Sequence, residues 1–410
     1  MQELFVGPET ARVLRAGPLG EHVDGFVEAL RAAGYAPASV EAKMLMAAQL
    51  GRWLARRALG VRDFDEGRVG EFLRFWGRRY RSHGAQAMLL QLLRHLRTTG
   101  ALRPAVVAVK RGTAALIEEH YATYLREERG LAHATLINYL ALVDRFLLDR
   151  FGKGPVRLAQ LQARDVTRFV LRRAHTMSPG RAKLLVTALR SFLRFVFVRG
   201  ETPIDLTPSV PTVADWRLAK LPKFIPAQDV QRLLRACDRR SATGRRDYAV
   251  LLLLARLGLR ASEVVQLTLE DIDWTAGEFI VRGKGARHDR LPLPADVGEA
   301  VVQYLRRDRP RCPSRRVFIC AKAPRQGFEG PSTVCTIVRR AIARAGLQTP
   351  TRGAHLLRHS LATDLLRRGG SLAEIGELLR HRSPDTTALY AKVDLGALRE
   401  VAQPWPGGVT

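Results

Sequence analysis

Residues 379–390 are LRHRSPDTTALY, and they end on Tyr390, a tyrosine that follows basic motifs in the last third of the chain. A phenol is a weak nucleophile at neutral pH, and a phosphodiester resists attack because its negative charge repels the incoming group. Guanidinium, ammonium and imidazole groups around the phenol would solve both problems, because they neutralise the phosphate and move protons. The stretch therefore predicts a metal-free site in which Tyr390 attacks a phosphodiester.

The motif LGLRASEV at 257–264 has Arg260 and Glu263 three residues apart, which puts them on one face of a helix. A guanidinium is a planar fork that matches two phosphate oxygens and keeps its charge at neutral pH. Glu263 would hold this fork in place. The alternative is a surface ion pair, which contributes little to stability.

The motif RGKGARHDR at 282–290 lies between two predicted strands, residues 279–282 and 290–293. The glycines on both sides of Lys284 predict a tight turn, with the ammonium group at the tip of a hairpin. From there Lys284 would enter a groove and protonate a leaving 5′ oxygen. The alternative is an exposed lysine of the kind that such turns often carry.

The motif HLLRH at 355–359 puts His355 and Arg358 on one face of a predicted helix. An imidazole can donate a hydrogen bond to a phosphoryl oxygen, and it can move a proton near pH 7. His359 is predicted to face away from Arg358 and to have a structural role. The alternative for the whole motif is a helix start with incidental histidines.

A further imidazole, His381, stands nine residues before Tyr390. Pro384 and the Asp and Thr residues after it predict a helix start. Tyr390 would then lie on the second turn of that helix. Taken alone, a tyrosine at such a position is more often a half-buried packing residue.

The chain carries 67 Lys and Arg residues against 39 Asp and Glu residues, a formal net charge of +28. Self-repulsion of this size destabilises a compact protein unless a polyanion relieves it, and nucleic acid is the usual polyanion. High-GC coding, which raises the arginine content, is the alternative explanation. Four arginines are predicted to contact DNA: Arg282, Arg287, Arg290 and Arg380.

The four cysteines form no CxxC pair and have no histidine neighbours at zinc-binding spacing, which favours free thiols. The most apolar run, LLLLARLGL at 251–259, is far shorter than the roughly 20 residues that a membrane span needs. The N-terminus lacks the pattern of a signal peptide. We therefore expect a soluble, cytoplasmic, nucleoid-associated protein without a metal ion or other cofactor.

Apolar residues recur every three or four positions through most of the chain, as in amphipathic helices. Five prolines between residues 203 and 226 predict a linker, because proline removes a backbone donor and stops helices. The hairpin after this linker predicts a small antiparallel sheet among helices. The expected fold class is mainly α, with helical N-terminal domains and a small antiparallel sheet in the catalytic domain (α+β).

Residues 34–72 and 130–169 carry similar apolar patterns at a nearly constant offset. Two copies of one small helical domain would explain the similarity. The periodicity that all amphipathic helices share would explain it as well, and the sequence leaves both explanations open.

In their order along the chain, the motifs resemble those of the tyrosine recombinases, or phage-type integrases, over residues 112–400. The resemblance assigns the family's catalytic positions to seven residues: Arg260 and Arg358 as clamp arginines, Lys284 as hairpin lysine, His355 and His381 as the two histidines, Tyr390 as nucleophile and Glu263 at the acidic position. Arg380 departs from the family, which usually has glycine before the second histidine. It would alter the local backbone or add a phosphate contact.

The resemblance implies a site-specific recombinase that cleaves and rejoins double-stranded DNA through a 3′-phosphotyrosine intermediate. This intermediate conserves the bond energy, so neither ATP nor a metal ion is needed. The implied assembly is a homotetramer on two DNA sites, or a mixed assembly with related recombinases. A mobile element is one setting in which such enzymes act.

The resemblance also predicts the domain organisation. The boundaries are residues 1–104 for an N-terminal helical domain, 105–204 for a SAM-like core-binding domain, 205–222 for a linker, 223–400 for the catalytic domain and 401–410 for a tail. The N-terminal domain is either an arm or an additional core-binding-like domain.

Two alternative functions stay open at this level. A type IB topoisomerase uses the same chemistry as a monomer, but a separate helical domain ahead of the catalytic domain favours a recombinase. The second alternative is a DNA-binding accessory subunit that has lost catalysis, and the complete set of catalytic residue types argues against it.

Overall fold

The computed structural model describes residues 8–77, 84–102, 113–214, 221–283 and 288–393. Helices make up most of this described part, and one small antiparallel sheet lies among them. The predicted fold class is therefore confirmed. The chain divides into two compact units, one of residues 106–220 and one of residues 1–105 together with 221–410. The finer domain boundaries given above stay a prediction.

Five helices at the start of the chain share one hydrophobic core. They are α1 (Pro8–Ala16), α2 (Gly20–Ala32), α3 (Pro37–Ala55), α4 (Glu66–Gly77) and α5 (Ala85–Thr98). Leu30, Met44 and Phe72 are fully buried in this core. The backbone N–H of Arg325 donates to the carbonyl oxygen of Ala33 over 2.8 Å, which links these helices to the C-terminal part of the same unit.

In the described residues of the unit 106–220, four α-helices surround a core rich in aromatic rings. They are α6 (Thr113–Glu127), α7 (His133–Phe151), α8 (Ala163–Ala174) and α9 (Pro179–Val198). Helices α3 and α7 both have 19 residues, and α4 and α8 both have 12. The neighbouring helices differ in length, with 13 residues in α2 against 15 in α6 and 14 in α5 against 20 in α9, so both explanations of the repeated pattern stay open.

Eight further helices follow in the C-terminal part. They are α10 (Ala227–Arg235), α11 (Ala242–Leu257), α12 (Ala261–Gln266), α13 (Ala295–Arg307), α14 (Pro331–Arg344), α15 (His355–Arg367), α16 (Leu372–Leu378) and α17 (Pro384–Thr387). Helix α11 runs through the core, and its residues from 249 to 254 are all buried, which explains the apolar run in the sequence. Helix α13 was not expected from the sequence.

The sheet has three strands, β1 (Ile272–Asp273), β2 (Glu278–Arg282) and β3 (His288–Pro292), in the order β1-β2-β3. The register pairs Arg282 with His288, so β2 and β3 form the predicted hairpin. Lys284 and Arg287, which were assigned to its tip, lie outside the described residues. Among the described helices, none is long and apolar enough to cross a membrane.

Candidate active site

The turn after α11 brings the first arginine to the site. Gly258 ends this helix with a φ of +58°, a left-handed conformation that favours glycine. A Cβ atom added there would lie 2.6 Å from Cδ2 of Leu379, just past the end of α16, so a larger residue would not fit without a shift. Arg260 follows two residues later as the N-cap of α12.

Glu263 binds Arg260 with both carboxylate oxygens. Its Oε1 lies 2.7 Å from Nη1 of Arg260, and its Oε2 accepts the backbone N–H of Arg260 over 2.8 Å. The Glu263 side chain is 2% exposed, so the pair is not an ordinary surface ion pair. Burial raises the pKa of Glu263, but the charge of Arg380 and the contacts of Arg260 outweigh burial and hold it below its usual value. The carboxylate is therefore charged and fixes the guanidinium of Arg260.

Arg358 lies on α15 and is only 4% exposed. Its guanidinium donates to the carbonyl oxygens of Gly258 and Leu379. Burial, followed by the charges of Arg260 and Arg380, lowers the pKa of Arg358 to about 10. The three arginines thus repel one another, and an anion placed among them would relieve the repulsion.

The two predicted histidines lie close to these arginines. His355 is the first residue of α15, and burial followed by the charges of Arg358 and Arg260 lowers its pKa. The same causes lower the pKa of His381 to about 4. Both imidazoles are therefore neutral at pH 7, with one donor and one acceptor each. Nδ1 of His381 lies 2.7 Å from Oγ1 of Thr387, a buried residue that the sequence placed only at the predicted helix start after Pro384.

Tyr390 lies in a short 3-10 helix, Ala388–Val393, directly after α17. The predicted position on the second turn of an α-helix is wrong, because α17 ends at Thr387 and the chain tightens there. Tyr390 is 1% exposed and belongs to a small apolar cluster that includes Leu379. Burial raises the pKa of Tyr390 to about 12, against the opposing charge of Arg358. The phenol is therefore protonated at neutral pH.

His359 contacts Tyr390, although the sequence predicts only a structural role for it. Its Nδ1 lies 2.8 Å from Oη of Tyr390. Successive residues on a helix point about 100° apart, so His359 lies on a different face of α15 from Arg358, as predicted. The prediction did not say which part of the chain packs against the face of His359. The C-terminal segment occupies it, and no periodicity in the sequence relates these two residues.

Arg380 faces the protein interior. Its φ is +53°, so this position has the left-handed backbone that the usual glycine would adopt freely. Its side chain is 8% exposed, and Nη2 lies 2.9 Å from Oε2 of Glu263. Its carbonyl oxygen accepts a bond of 3.4 Å from Nη2 of Arg260. In this arrangement Arg380 binds a carboxylate rather than facing solvent, and its predicted contact with DNA stays a prediction.

The ion pair and the backbone strain at Arg380 can be separated by two substitutions. We expect Arg380→Ala to lower the free energy of unfolding by about 1–3 kcal/mol, because Glu263 loses a buried partner. Arg380→Gly should lower the free energy of unfolding by about 1 kcal/mol less than Arg380→Ala does, because glycine adopts the left-handed backbone without steric cost. Urea denaturation measures both values. Equal stability of the two variants would show that the backbone at this position stores no strain.

The hairpin arginines differ in their surroundings. Nη1 of Arg282 lies 2.6 Å from Oδ2 of the buried Asp271, whereas Arg290 is 74% exposed and stands 3.6 Å from Glu278. Arg290 thus has the more accessible guanidinium. The predicted DNA contacts of these residues remain predictions.

The described residues of the predicted site form one connected group. Glu263 joins Arg260 to Arg380, His381 follows Arg380 in the chain, and the rings of His381 and Tyr390 are parallel with centroids 6.4 Å apart. His355, with its ring centroid 6.2 Å from that of His359, lies at the start of the same helix. The arrangement can neutralise an anion, and its phenol lies near the charge of Arg358.

Comparison with known proteins gives two family matches. Residues 223–395 match the phage integrase family, and residues 119–200 match the family described as phage integrase, N-terminal SAM-like domain. The first match contains every described residue of the candidate site.

Similar proteins are found at high coverage. The chain is 48% identical over 394 residues to the Sinorhizobium fredii protein y4rA, named as an integrase/recombinase, with 95% of each chain covered. It is 33% identical over 312 residues to the tyrosine recombinase XerD of Mycobacterium tuberculosis, which covers 72% of this chain and 97% of that one. The crystal structure of the XerH site-specific recombinase bound to palindromic difH substrate matches the fold with a TM-score of 0.55 and 20% identity, over 69% of this chain and 83% of that chain.

Proposed function

The chain belongs to the phage integrase family of tyrosine recombinases, and we propose that Tyr390 is the nucleophile with which it cleaves and rejoins DNA. One observation supports this proposal most directly. Arg260 and Arg380 both bind the buried carboxylate of Glu263. Arg358 lies close enough for the charges of these two arginines to lower its pKa. Three guanidinium groups and one carboxylate leave an excess of positive charge, which a phosphodiester would neutralise.

In the proposed mechanism Arg260 and Arg358 bind the non-bridging oxygens of the scissile phosphate while Tyr390 attacks phosphorus. A guanidinium has five N–H donors, more than the two bonds from Arg358 to carbonyl oxygens use. His355 and His381, which are neutral, donate hydrogen bonds to the phosphate. Each of these contacts strengthens as charge develops on phosphorus oxygens in the transition state.

The departing 5′ oxygen needs a proton, and we assign this proton to Lys284, which lies outside the described residues. The product is a 3′-phosphotyrosine and a free 5′-hydroxyl. A 5′-hydroxyl from a second duplex then attacks the phosphotyrosine and rejoins the strand. Strand exchange between two duplexes breaks four strands, so four active sites are needed, and we propose a tetramer of this chain or of related recombinases. We propose that the protein acts on nucleoid DNA in the cytoplasm and that it recombines the DNA of a mobile element.

A suicide duplex tests the proposed function. Such a duplex carries a nick just beyond the cleavage site, so the short fragment with the new 5′-hydroxyl diffuses away and the covalent complex accumulates. We expect labelled DNA to stay attached to the protein in denaturing gels. An absence of covalent DNA on the cognate site would favour an accessory subunit, and plasmid relaxation without strand exchange would favour a topoisomerase.

Cleavage should proceed in excess EDTA. Guanidinium and imidazole groups supply the positive charge of the proposed site, and within the described ranges no three His, Cys, Asp or Glu side chains are grouped so that they could hold a metal ion. The measurement is the yield of covalent complex with and without EDTA, with a Mg²⁺-dependent nuclease in the same buffer as a control for chelation. A strict requirement for Mg²⁺ in the cleavage step would contradict the prediction.

For residues 1–104 we propose binding of DNA beside the core site, or a contribution to synapse assembly, and no part in the chemistry. Arg52, Arg56 and Arg57 on or just after α3 are exposed, as DNA contacts require. The other basic residues that suggest this role, Arg78, Arg79 and Arg81, lie outside the described residues.

A chain that starts at Ala105 should still form the covalent complex on a suicide duplex. Its DNA affinity should depend less steeply on salt, by about 0.9 in logarithmic slope for each phosphate that the shortened chain no longer neutralises. The double variant Arg52→Ala/Arg56→Ala in the full-length chain serves as the matched test and should give part of the same change. An unchanged salt slope and footprint for both proteins would indicate a protein–protein role instead.

A further inference from the structure

His359 has no role in the mechanism above, although it is the imidazole that touches the nucleophile. Its Nδ1 lies 2.8 Å from Oη of Tyr390, within the range over which a base can take a proton. Nδ1 of His381 is instead bonded to Thr387. The contact therefore distinguishes His359 from the histidines that the motif spacing selected.

We propose that His359 is a catalytic residue, which accepts the proton of Tyr390 as the phenol attacks DNA and returns it when the strand is rejoined. This inference rests on the proposed role of Tyr390 as nucleophile. It requires the imidazole tautomer in which Nε2 carries the proton and Nδ1 accepts from the phenol.

The proton balance of the cleavage step is complete. The O–H bond of Tyr390 breaks, its electron pair forms the bond from Oη to phosphorus, and its proton moves to Nδ1 of His359. The bond from phosphorus to the 5′ oxygen breaks, and that oxygen takes a proton from Lys284. In rejoining, the incoming 5′-hydroxyl gives its proton to neutral Lys284, and the imidazolium of His359 returns a proton to the departing phenolate of Tyr390.

Burial explains why a side chain must take this proton. Tyr390 is 1% exposed, so bulk water has little access to the phenol. Its pKa is raised to about 12, and hydroxide at neutral pH is too scarce to remove the proton at a useful rate. The imidazole of His359 lies within hydrogen-bonding distance of Oη and has a nitrogen that can accept this proton.

The surroundings of His359 keep it neutral until DNA arrives. Burial, then the neighbouring His355 and the charge of Arg358, lower its pKa to about 4. From the C-terminal segment, Tyr390 and His381 face it. A neutral imidazole can accept a proton, whereas an imidazolium cannot. A phosphodiester bound beside Arg358 would offset that positive charge and strengthen the base when the substrate is in place.

The test compares His359→Ala and His359→Asn in single-turnover cleavage of a suicide duplex. Asn is the informative variant, because its side-chain amide can keep a hydrogen bond to Tyr390 but cannot accept a proton at neutral pH. We expect both variants to bind DNA normally and to cleave at least roughly 100-fold more slowly than the unaltered protein. His120→Asn, an exposed histidine on α6, is the matched control and should cleave at the normal rate.

A second substrate separates a base at the nucleophile from an acid at the leaving group. In a duplex with a 5′-bridging phosphorothiolate the departing sulfur needs no proton. The loss of a general acid therefore does not slow the cleavage of this substrate. We expect the defect of His359→Asn to persist on this substrate. Recovery of normal cleavage there would place His359 at the leaving group and overturn the proposal.

Two further outcomes would also overturn it. Normal cleavage by His359→Asn would show that a hydrogen bond to Tyr390 is enough for catalysis and that residue 359 need not accept a proton. Faster cleavage by either variant would show that the contact holds Tyr390 in an inactive position. The failure of the underlying assignment is distinguishable, because covalent DNA would then form with Phe in place of Tyr390.

Discussion

Tyr390→Phe should abolish the covalent protein–DNA complex and leave DNA binding unchanged. The substitution removes one oxygen atom, and the phenyl ring still fills the buried cluster that contains Leu379. Without Oη no bond to phosphorus can form, whereas the arginines that we propose bind the phosphate are untouched. Denaturing gels with a labelled suicide duplex measure the complex, and gel-shift titration measures binding.

Tyr248→Phe is the control for this experiment. Tyr248 lies on α11 in the same unit, with the guanidinium of Arg239 over its ring at 4.8 Å, and it takes part in none of the hydrogen bonds and ion pairs described for the candidate site. We expect this variant to form the covalent complex as the unaltered protein does. Covalent DNA in the Tyr390→Phe variant would move the nucleophile elsewhere, with Tyr304 and Tyr248 as the next residues to replace.

Arg260→Ala and Arg358→Ala should each reduce the cleavage rate by at least about 100-fold, as expected when a preorganised charge is removed from a transition state. Lysine should not restore the rate at either position. Arg358 bonds two carbonyl oxygens, those of Gly258 and Leu379, and still has donors for a phosphate. A single ammonium group cannot span these partners.

Single-turnover cleavage measures these effects, with DNA binding and thermal unfolding as checks on folding. Arg256→Ala is the matched control, because Arg256 lies near the end of α11 but is 59% exposed and pairs with Asp296. We expect this variant to cleave at the normal rate. Nearly normal cleavage by Arg260→Lys or Arg358→Lys would show that the site needs charge and not the planar fork.

The helices and the small sheet of the fold could be predicted because their signals are local. A period of about 3.6 residues marks an amphipathic helix, and a Gly-rich turn between β-prone stretches marks a hairpin. The breaks between consecutive helices were harder to place from the sequence. The apolar period runs through residues 22–58, yet the chain separates α2 from α3 there, where Gly34 has a φ of +80° and Pro37 begins the next helix.

The residue types of the site were also readable from the sequence. An arginine three residues from a glutamate, a histidine three residues from an arginine, and a tyrosine after a helix start are short-range patterns. Helix geometry converts such spacings into shared faces, as at α15, where His355 and Arg358 both lie close to Arg260. The sequence by itself thus determined which residues could form the site and the chemistry for which they are suited.

Only the tertiary structure decided which of these residues are partners. Glu263 binds Arg380, which is 117 positions away, and His359 reaches Tyr390 over 31 positions. A hydrogen bond requires its two heavy atoms to lie about 3 Å apart, and this distance depends on how α12, α15 and the C-terminal segment pack. Periodicity shows the face on which a side chain lies, but it does not show what packs against that face, so the contacts of Arg380 and His359 became visible only in the folded chain.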